Sequence, residues 1–256
     1  MITSSQNPKL KLARALLGRP KERRAAGAFV AEGVRLVEEA AQSGWPFRFV
    51  LHTAELSERG EELIKKIKTK NVECEVVADS LLQALSDTGN TQGILAVLDH
   101  SLLPIPQYLN FALVPDQIRD PGNLGTLLRT AAAAGVQAVL IPPETTDAFA
   151  PKVVRAGMGA HFRLPILSAE WEEIQRISES AKLKVWLADM EGRSCWESDL
   201  KGPLALIVGG EAEGASEQAS KLADEQISIP MPGGIESLNA GVAGAVLMFE
   251  VVRQRS

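Results

Sequence analysis

Cysteine is nearly missing from this chain of 256 residues: Cys74 and Cys195 are the only two, and no CxxC pair exists. That argues against a disulfide framework and a cysteine-based zinc site, and makes a reducing cytoplasm the expected compartment. Aromatic residues are scarce at 5%, with Tyr108 the one tyrosine, so a platform of stacked rings is not the expected way to hold bases. The three histidines, His52, His100 and His161, form no ligand pattern, and no metal is expected. No apolar window of about 18 residues appears, and Met1-Ile-Thr-Ser-Ser-Gln-Asn-Pro lacks the apolar run of a secretory signal, so no membrane association is expected. A phosphate-binding Gly-Lys-Ser/Thr loop, internal repeats and low-complexity segments are absent as well.

What is present starts with an uneven charge. The net charge is −5, yet residues 1–24 hold Lys9, Lys11, Arg14, Arg19, Lys21, Arg23 and Arg24 against Glu22 alone. This segment carries +6 and the remainder −11. Such asymmetry fits a local footprint for a polyanion on an acidic body, or a solvated basic helix face. Lys9, Lys11, Arg14, Arg23 and Arg24 are the candidate contacts to a nucleic acid. Apolar residues make up 45% of the chain, enough for one or two packed domains.

A boundary falls at residues 99–109, where Pro104 and Pro106 disfavour helix and central strand alike. Residues 1–98 alternate helix and strand. Helices are expected at Asn7–Leu17, Gly33–Gln42 and Arg59–Lys68, and strands at Phe47–Leu51, Glu73–Ala78 and Gly93–Leu98. In residues 110–256, strands are expected at Phe111–Val114, Ala138–Ile141, Val185–Ala188, Leu204–Val208 and Gln226–Ile229. Helices are expected at Leu124–Ala134, Pro151–Met158, Trp171–Ala181 and Leu238–Arg253. Short apolar strands separated by helices imply an α/β fold with a parallel sheet covered on both faces. Ligands bind such sheets at the carboxyl ends of the strands.

Three glycine-rich turns stand at those ends: Asp120-Pro-Gly-Asn-Leu-Gly-Thr-Leu-Leu-Arg129, Leu206-Ile-Val-Gly-Gly-Glu-Ala-Glu-Gly214 and Ile229-Pro-Met-Pro-Gly-Gly-Ile-Glu-Ser-Leu-Asn239. In the first, Asn123 stands where a helix cap would, and Arg129 is either an ordinary surface residue or a phosphate clamp, its backbone anchored by Leu127, Leu128, Ala131 and Ala134. The second carries Glu211 where a dinucleotide fingerprint needs glycine; it reads by itself as a plain strand-to-helix turn, or as a loop whose acidic residues repel a phosphate and tolerate a cationic or neutral ligand. The third has two prolines and two glycines, whose irregular backbone can serve an adenine edge. Ser237 is expected to cap the final helix, with Leu238, Val242, Val246, Phe249 and Val252 as its apolar positions. Gly241 and Gly244 inside that helix cost about 1 kcal/mol each relative to alanine, and close packing against another backbone, within the chain or across a dimer, is the expected compensation.

As an ordered set, these three turns resemble the motifs of the SpoU-type RNA ribose methyltransferases of the SPOUT superfamily, from about Phe111 to Arg253. The resemblance is greatest to members that modify 23S ribosomal RNA. Ser5-Gln-Asn-Pro-Lys-Leu and Phe29-Val-Ala-Glu-Gly-Val-Arg resemble that family's L30e-like substrate-binding domain. The resemblance implies S-adenosylmethionine held in a deep trefoil knot and a homodimer formed through the catalytic domain. By motif position, Gly209, Ile229 and Leu238 would hold the cofactor by their backbone, with Gly214 and Met231 beside them. Asn123, Arg129, Glu211, Ser237 and Asn239 match the family's catalytic or site-ordering residues. Two departures stand out: Gly241 replaces a common serine, and Pro115 replaces an aliphatic residue where it is expected to shift the end of the first strand.

The implied reaction is in-line transfer of a methyl group to a ribose 2′-hydroxyl, in which positioning supplies much of the rate. Arginine, with a pKa above about 12, is a poor proton acceptor, so Arg129 is read as a phosphate contact. Two alternatives stay open from the sequence: a transfer RNA methyltransferase, and a catalytically decayed RNA-binding factor for ribosome assembly.

Overall fold

A computed structural model describes residues 1–86, 92–101, 103–210 and 214–256. The chain forms two compact units, one of Met1–Ser101 with Phe149–Phe162, the other of Leu102–Ala148 with Arg163–Ser256.

The first unit runs α1 (Pro8–Gly18), α2 (Pro20–Ala26), β1 (Ala28–Glu32), α3 (Val34–Gln42), β2 (Phe47–His52), α4 (Glu58–Lys68), β3 (Cys74–Val76), α5 (Asp79–Gln83) and β4 (Ile94–Asp99). Its sheet has the order β1-β4-β2-β3, with β4 antiparallel to both neighbours and β2 parallel to β3. Helix α1 begins where the sequence says it should: the Asn7 side chain accepts the Lys9 N–H at 2.9 Å and Pro8 takes the first turn. Helix α2 and strand β1 escape the periodicity reading. The first is a seven-residue basic turn closed by Gly27 at φ 57°, and the second is buried along its whole length and shows no alternation.

The second unit contains β5 (Phe111–Pro115), α6 (Pro121–Ala133), β6 (Ala138–Ile141), β7 (Ile166–Ser168), α8 (Trp171–Ser180), β8 (Lys184–Ser194), β9 (Leu204–Val208), α9 (Glu217–Leu222), β10 (Glu225–Ser228) and α10 (Ala240–Arg255), while α7 (Pro151–Gly157) lies between β6 and β7 in the chain. Six parallel strands follow the order β10-β8-β9-β5-β6-β7. One face is packed by Ala112, Val114, Leu140, Val185, Leu187 and Ile207 against Ile174 of α8 and Ala219 of α9. Helices α6 and α10 pack against each other, α6 against β5 and α10 against β9. Strand β5 ends at Pro115 in register with Val208, so the proline does not shorten it. The ladder resumes at once with the Asp116 N–H donating to the Val208 carbonyl at 2.9 Å.

Residues 149–162, which include α7, pack with the first unit although they follow residue 110 in the chain. The cause is aromatic. Phe149 lies 5.0 Å from Phe29, Phe162 lies 5.3 Å from Trp45, and His161 lies 5.3 Å from Phe149. Phe29, Trp45, Phe149 and Phe162 are gathered here, where aromatic rings bury a large apolar area.

Both helix caps also differ from expectation. Asp120, not Asn123, caps α6 and accepts the Asn123 N–H at 2.9 Å. Asn239, not Ser237, caps α10 and accepts the Val242 N–H at 3.2 Å. Asp and Asn are as good caps as Ser, so only the path of the chain selects among them. The glycines of α10 face α6 within the chain. A Cβ on Gly244 would lie 2.3 Å from Leu127 Cδ2, and one on Gly241 would lie 3.1 Å from Thr126 Cγ2. Of the five apolar positions read along this helix, Val242 is 48% exposed and Phe249 49% exposed.

Candidate functional site

The carboxyl ends of β9 and β10 and the middle of β8, three neighbouring strands, open onto one cavity of about 380 Å³. That volume lies within the range of sites that take cofactor-sized molecules, roughly 300–1,000 Å³. Its walls are Ala188, Asp189 and Met190 from β8, Val208, Gly209 and Gly210 after β9, Ile227 to Ile229 around the end of β10, Met231, the segment Glu236 to Leu238, and Ala240, Ala243 and Leu247 of α10. All five residues expected to hold a cofactor, Gly209, Gly214, Ile229, Met231 and Leu238, line this one space, and Ser237 joins them.

Glycine is required where the cradle is tightest. A Cβ on Gly209 would lie 2.9 Å from the Ala215 nitrogen, and one on Gly210 would lie 2.5 Å from the Gln117 carbonyl oxygen. Both obstacles are backbone, so the turn after β9 cannot yield by rotating a side chain. The third segment turns at Gly234 with φ 73°, its N–H donating to the Met231 carbonyl at 3.2 Å.

The first motif meets the third through side chains. Asn239 Nδ2 donates to Asn123 Oδ1 at 2.9 Å, which joins the N-terminal turns of α6 and α10. Arg129 stands apart. It sits in the third turn of α6, about 9 Å along the axis from Asn123, exposed and outside the cavity wall. Its neighbours Leu127, Leu128 and Ala131 are fully buried, so its backbone is held firmly. Glu211 lies outside the described residues.

Sequence reading missed Asp116. This aspartate is fully buried, its Oδ2 accepts the Ser216 N–H at 2.6 Å, and its Oδ1 has no hydrogen-bond partner. It therefore ties the end of the cofactor turn, where Ser216 caps α9, to the end of β5. Burial pushes the Asp116 carboxyl above its ordinary range, against the lowering effect of the Ser216 hydrogen bond. A raised value means that the folded protein keeps a proton the unfolded chain has already released, so stability falls as pH rises through that window. Asp116→Asn keeps an acceptor for Ser216 without the charge. Thermal unfolding followed across that window should show a shallower fall for the variant, and an unchanged slope would clear Asp116 of the effect.

The basic segment divides. Lys9 is ion-paired with Glu73 and Glu75. Partial burial works against its charge, but the hydrogen bonds to the two glutamates outweigh it and raise the Lys9 pKa. Arg23 is buried and donates to the Leu16 carbonyl at 2.6 Å, closing α1 onto α2. These two side chains are thus engaged in holding the first unit together. Lys11, Arg14 and Arg24 are exposed, as are Arg19 and Lys21. A larger cleft of about 550 Å³ in the first unit carries Arg35 and Arg59 but also Glu55 and Asp79, so its charge does not select a polyanion. Among the described residues no three His, Cys, Asp or Glu side chains could share a metal ion. None of the described helices is long and apolar enough to cross a membrane.

Comparison with known proteins adds the relatives. Residues 110–249 match the SpoU rRNA Methylase family, and residues 7–96 match the MRM3-like substrate binding domain. The chain is 30% identical to the 23S rRNA (uridine(2479)-2'-O)-methyltransferase of Streptomyces viridochromogenes, over 98% of this chain and 92% of the relative. It is 31% identical to the 23S rRNA (guanosine(2553)-2'-O)-methyltransferase RlmP of Bacillus subtilis, over 98% of each. The crystal structure of the SpoU methyltransferase AviRb from Streptomyces viridochromogenes in complex with AdoMet superposes with a TM-score of 0.90 at 30% identity, covering 98% of both chains.

Proposed function

This chain belongs to the SpoU rRNA methylase family, and on that premise we propose that it transfers a methyl group from S-adenosylmethionine to a ribose 2′-hydroxyl of 23S ribosomal RNA. The observation that carries this reading is the single cavity in which the second and third glycine-rich turns meet, fastened to the first by the Asn123–Asn239 hydrogen bond. The residues present fit the cofactor. Val208, Ile229, Met231, Leu238 and Leu247 offer apolar walls for a purine, the irregular backbone from Ile229 to Leu238 offers amides and carbonyls, and the glycine turn leaves room that side chains would fill.

When bound, S-adenosylmethionine supplies an electrophilic methyl carbon on a positively charged sulfur. The chain supplies position. Asn123 and Asn239 hold the mouths of the two helices together, Ser237 offers a hydroxyl at the rim, and Arg129 binds a phosphate next to the target ribose. The new carbon–oxygen bond forms as the carbon–sulfur bond breaks, and the hydroxyl proton leaves to that phosphate or to water. Positioning of this kind contributes roughly 7–11 kcal/mol to such reactions.

Lys11, Arg14 and Arg24 supply the electrostatic part of RNA docking, consistent with the substrate-binding match over residues 7–96. The exposed Val242 and Phe249 of α10 support a homodimer through the catalytic unit, and the family supports a trefoil knot through which the C-terminal segment is threaded. The protein works in the cytoplasm, beside its RNA. Relatives at nearly equal identity are named for a uridine and for a guanosine, so the base is chosen by contacts that differ between them.

The deciding experiment incubates the purified protein with labelled S-adenosylmethionine and ribosomal RNA or transfer RNA, then maps 2′-O-methyl positions. Label is expected at a ribose of 23S RNA. Cofactor binding without incorporation into any RNA would identify a binding module, and incorporation into transfer RNA would move the substrate.

A further inference from the structure

The cavity wall holds two charged residues among those described, Asp189 and Glu236, and both are acidic; no lysine or arginine lines it. Asp189 lies within β8, one residue past Ala188, the last residue paired with β9, in the stretch that the ladder with β10 skips between Leu187 and Arg193. It is half-buried, and its Oδ1 accepts the Glu191 N–H at 2.9 Å, which fixes the carboxylate in a local turn. Glu236 reaches the same wall from the third motif, one residue before Ser237. The wall carries net negative charge, with Glu236 exposed at the rim and Asp189 half-buried, where charge pairs interact more strongly than in bulk water.

We propose that Asp189 and Glu236 make this cavity select for positive charge, so that it holds the methyl donor and releases the product. This rests on the cofactor reading above. The donor's sulfonium carries a full positive charge. Once the methyl has left, the sulfur is a neutral thioether, while the rest of the molecule is unchanged. A purely apolar pocket would hold the two alike. Two carboxylates near the sulfur attract the sulfonium charge that the donor alone carries, so the transfer itself removes part of the grip and product inhibition is relieved. These residues are specificity determinants and take no part in bond making.

The test is calorimetry on the full-length protein with three probes: S-adenosylmethionine, S-adenosylhomocysteine and sinefungin, whose amine keeps a positive charge where the sulfonium was. The wild type should bind the donor and sinefungin more tightly than the product. In Asp189→Asn, which retains the acceptor for Glu191, and in Glu236→Gln, that preference should shrink by about threefold to tenfold, with product affinity unchanged or improved. Added salt should shrink it in the wild type too. Equal loss for all three probes would show that Asp189 acts by hydrogen bonding alone and would overturn the proposal, as would a wild type without preference. A well-folded wild type that binds none of the three would instead remove the cofactor reading itself.

Discussion

Replacing Arg129 by alanine should leave the protein folded and S-adenosylmethionine affinity within about twofold of wild type, while methyl transfer falls by roughly a hundredfold to a thousandfold. The split follows from position. Arg129 is exposed on α6, outside the cavity wall, so neither the core nor the cofactor loses a contact. Exposed substitutions of this kind move stability by only about 0.5 kcal/mol. What the variant would lose is a guanidinium whose planar fork suits a phosphate, and with it the placement of the target ribose proposed above. Arg129→Lys should recover part of the RNA affinity but little of the turnover, because a point charge does not reproduce the fork. Single-turnover kinetics with saturating RNA would check this. Turnover near wild type in Arg129→Ala would remove the residue from the reaction.

Phe249→Glu combined with Val242→Glu should convert the protein to a monomer and lower methyl transfer with it. Both side chains are about half exposed on a helix whose opposite face packs on α6 through Gly241 and Gly244. A cavity penalty is therefore small, while two carboxylates placed in an apolar interface would weaken self-association on the order of a hundredfold or more. The same helix contributes Ala240, Ala243 and Leu247 to the cavity, so on the proposed dimer, loss of a cover on α10 should loosen the wall proposed to hold the cofactor. Sedimentation velocity together with the transfer assay reads both effects. A double variant that sediments as the wild type does would place the interface elsewhere.

The strongly patterned parts of the structure could be read directly. Strands β6 and β9 begin and end where the apolar runs do, and β5 extends only one residue further, to Pro115, because a buried parallel strand is a short unbroken apolar segment. The five cofactor candidates converge for the same reason: each turn follows a strand of one parallel sheet, and all such ends lie on one side. Strand β7 and helix α9 were not legible, since three and six residues carry too little period to register. Asp189 was within reach, as the residue just past an expected strand end. Asp116 gave no local signal, because its importance comes from Ser216, a hundred residues away.

By itself the amino-acid order determined the class of fold, the order of the three turns and their chemical character, since these depend on local period and residue type. Only the tertiary structure decided which residues cap α6 and α10, which cations of the basic segment are engaged in ion pairs and burial, and which face of the last helix is left uncovered. It also moved α7 into the first unit. The covered face of α10, the engagement of Lys9 and the place of α7 are each settled by a partner distant in the chain: Leu127 against Gly244, Glu73 beside Lys9, Phe29 under Phe149. No local pattern encodes a distance that closes only when the chain folds.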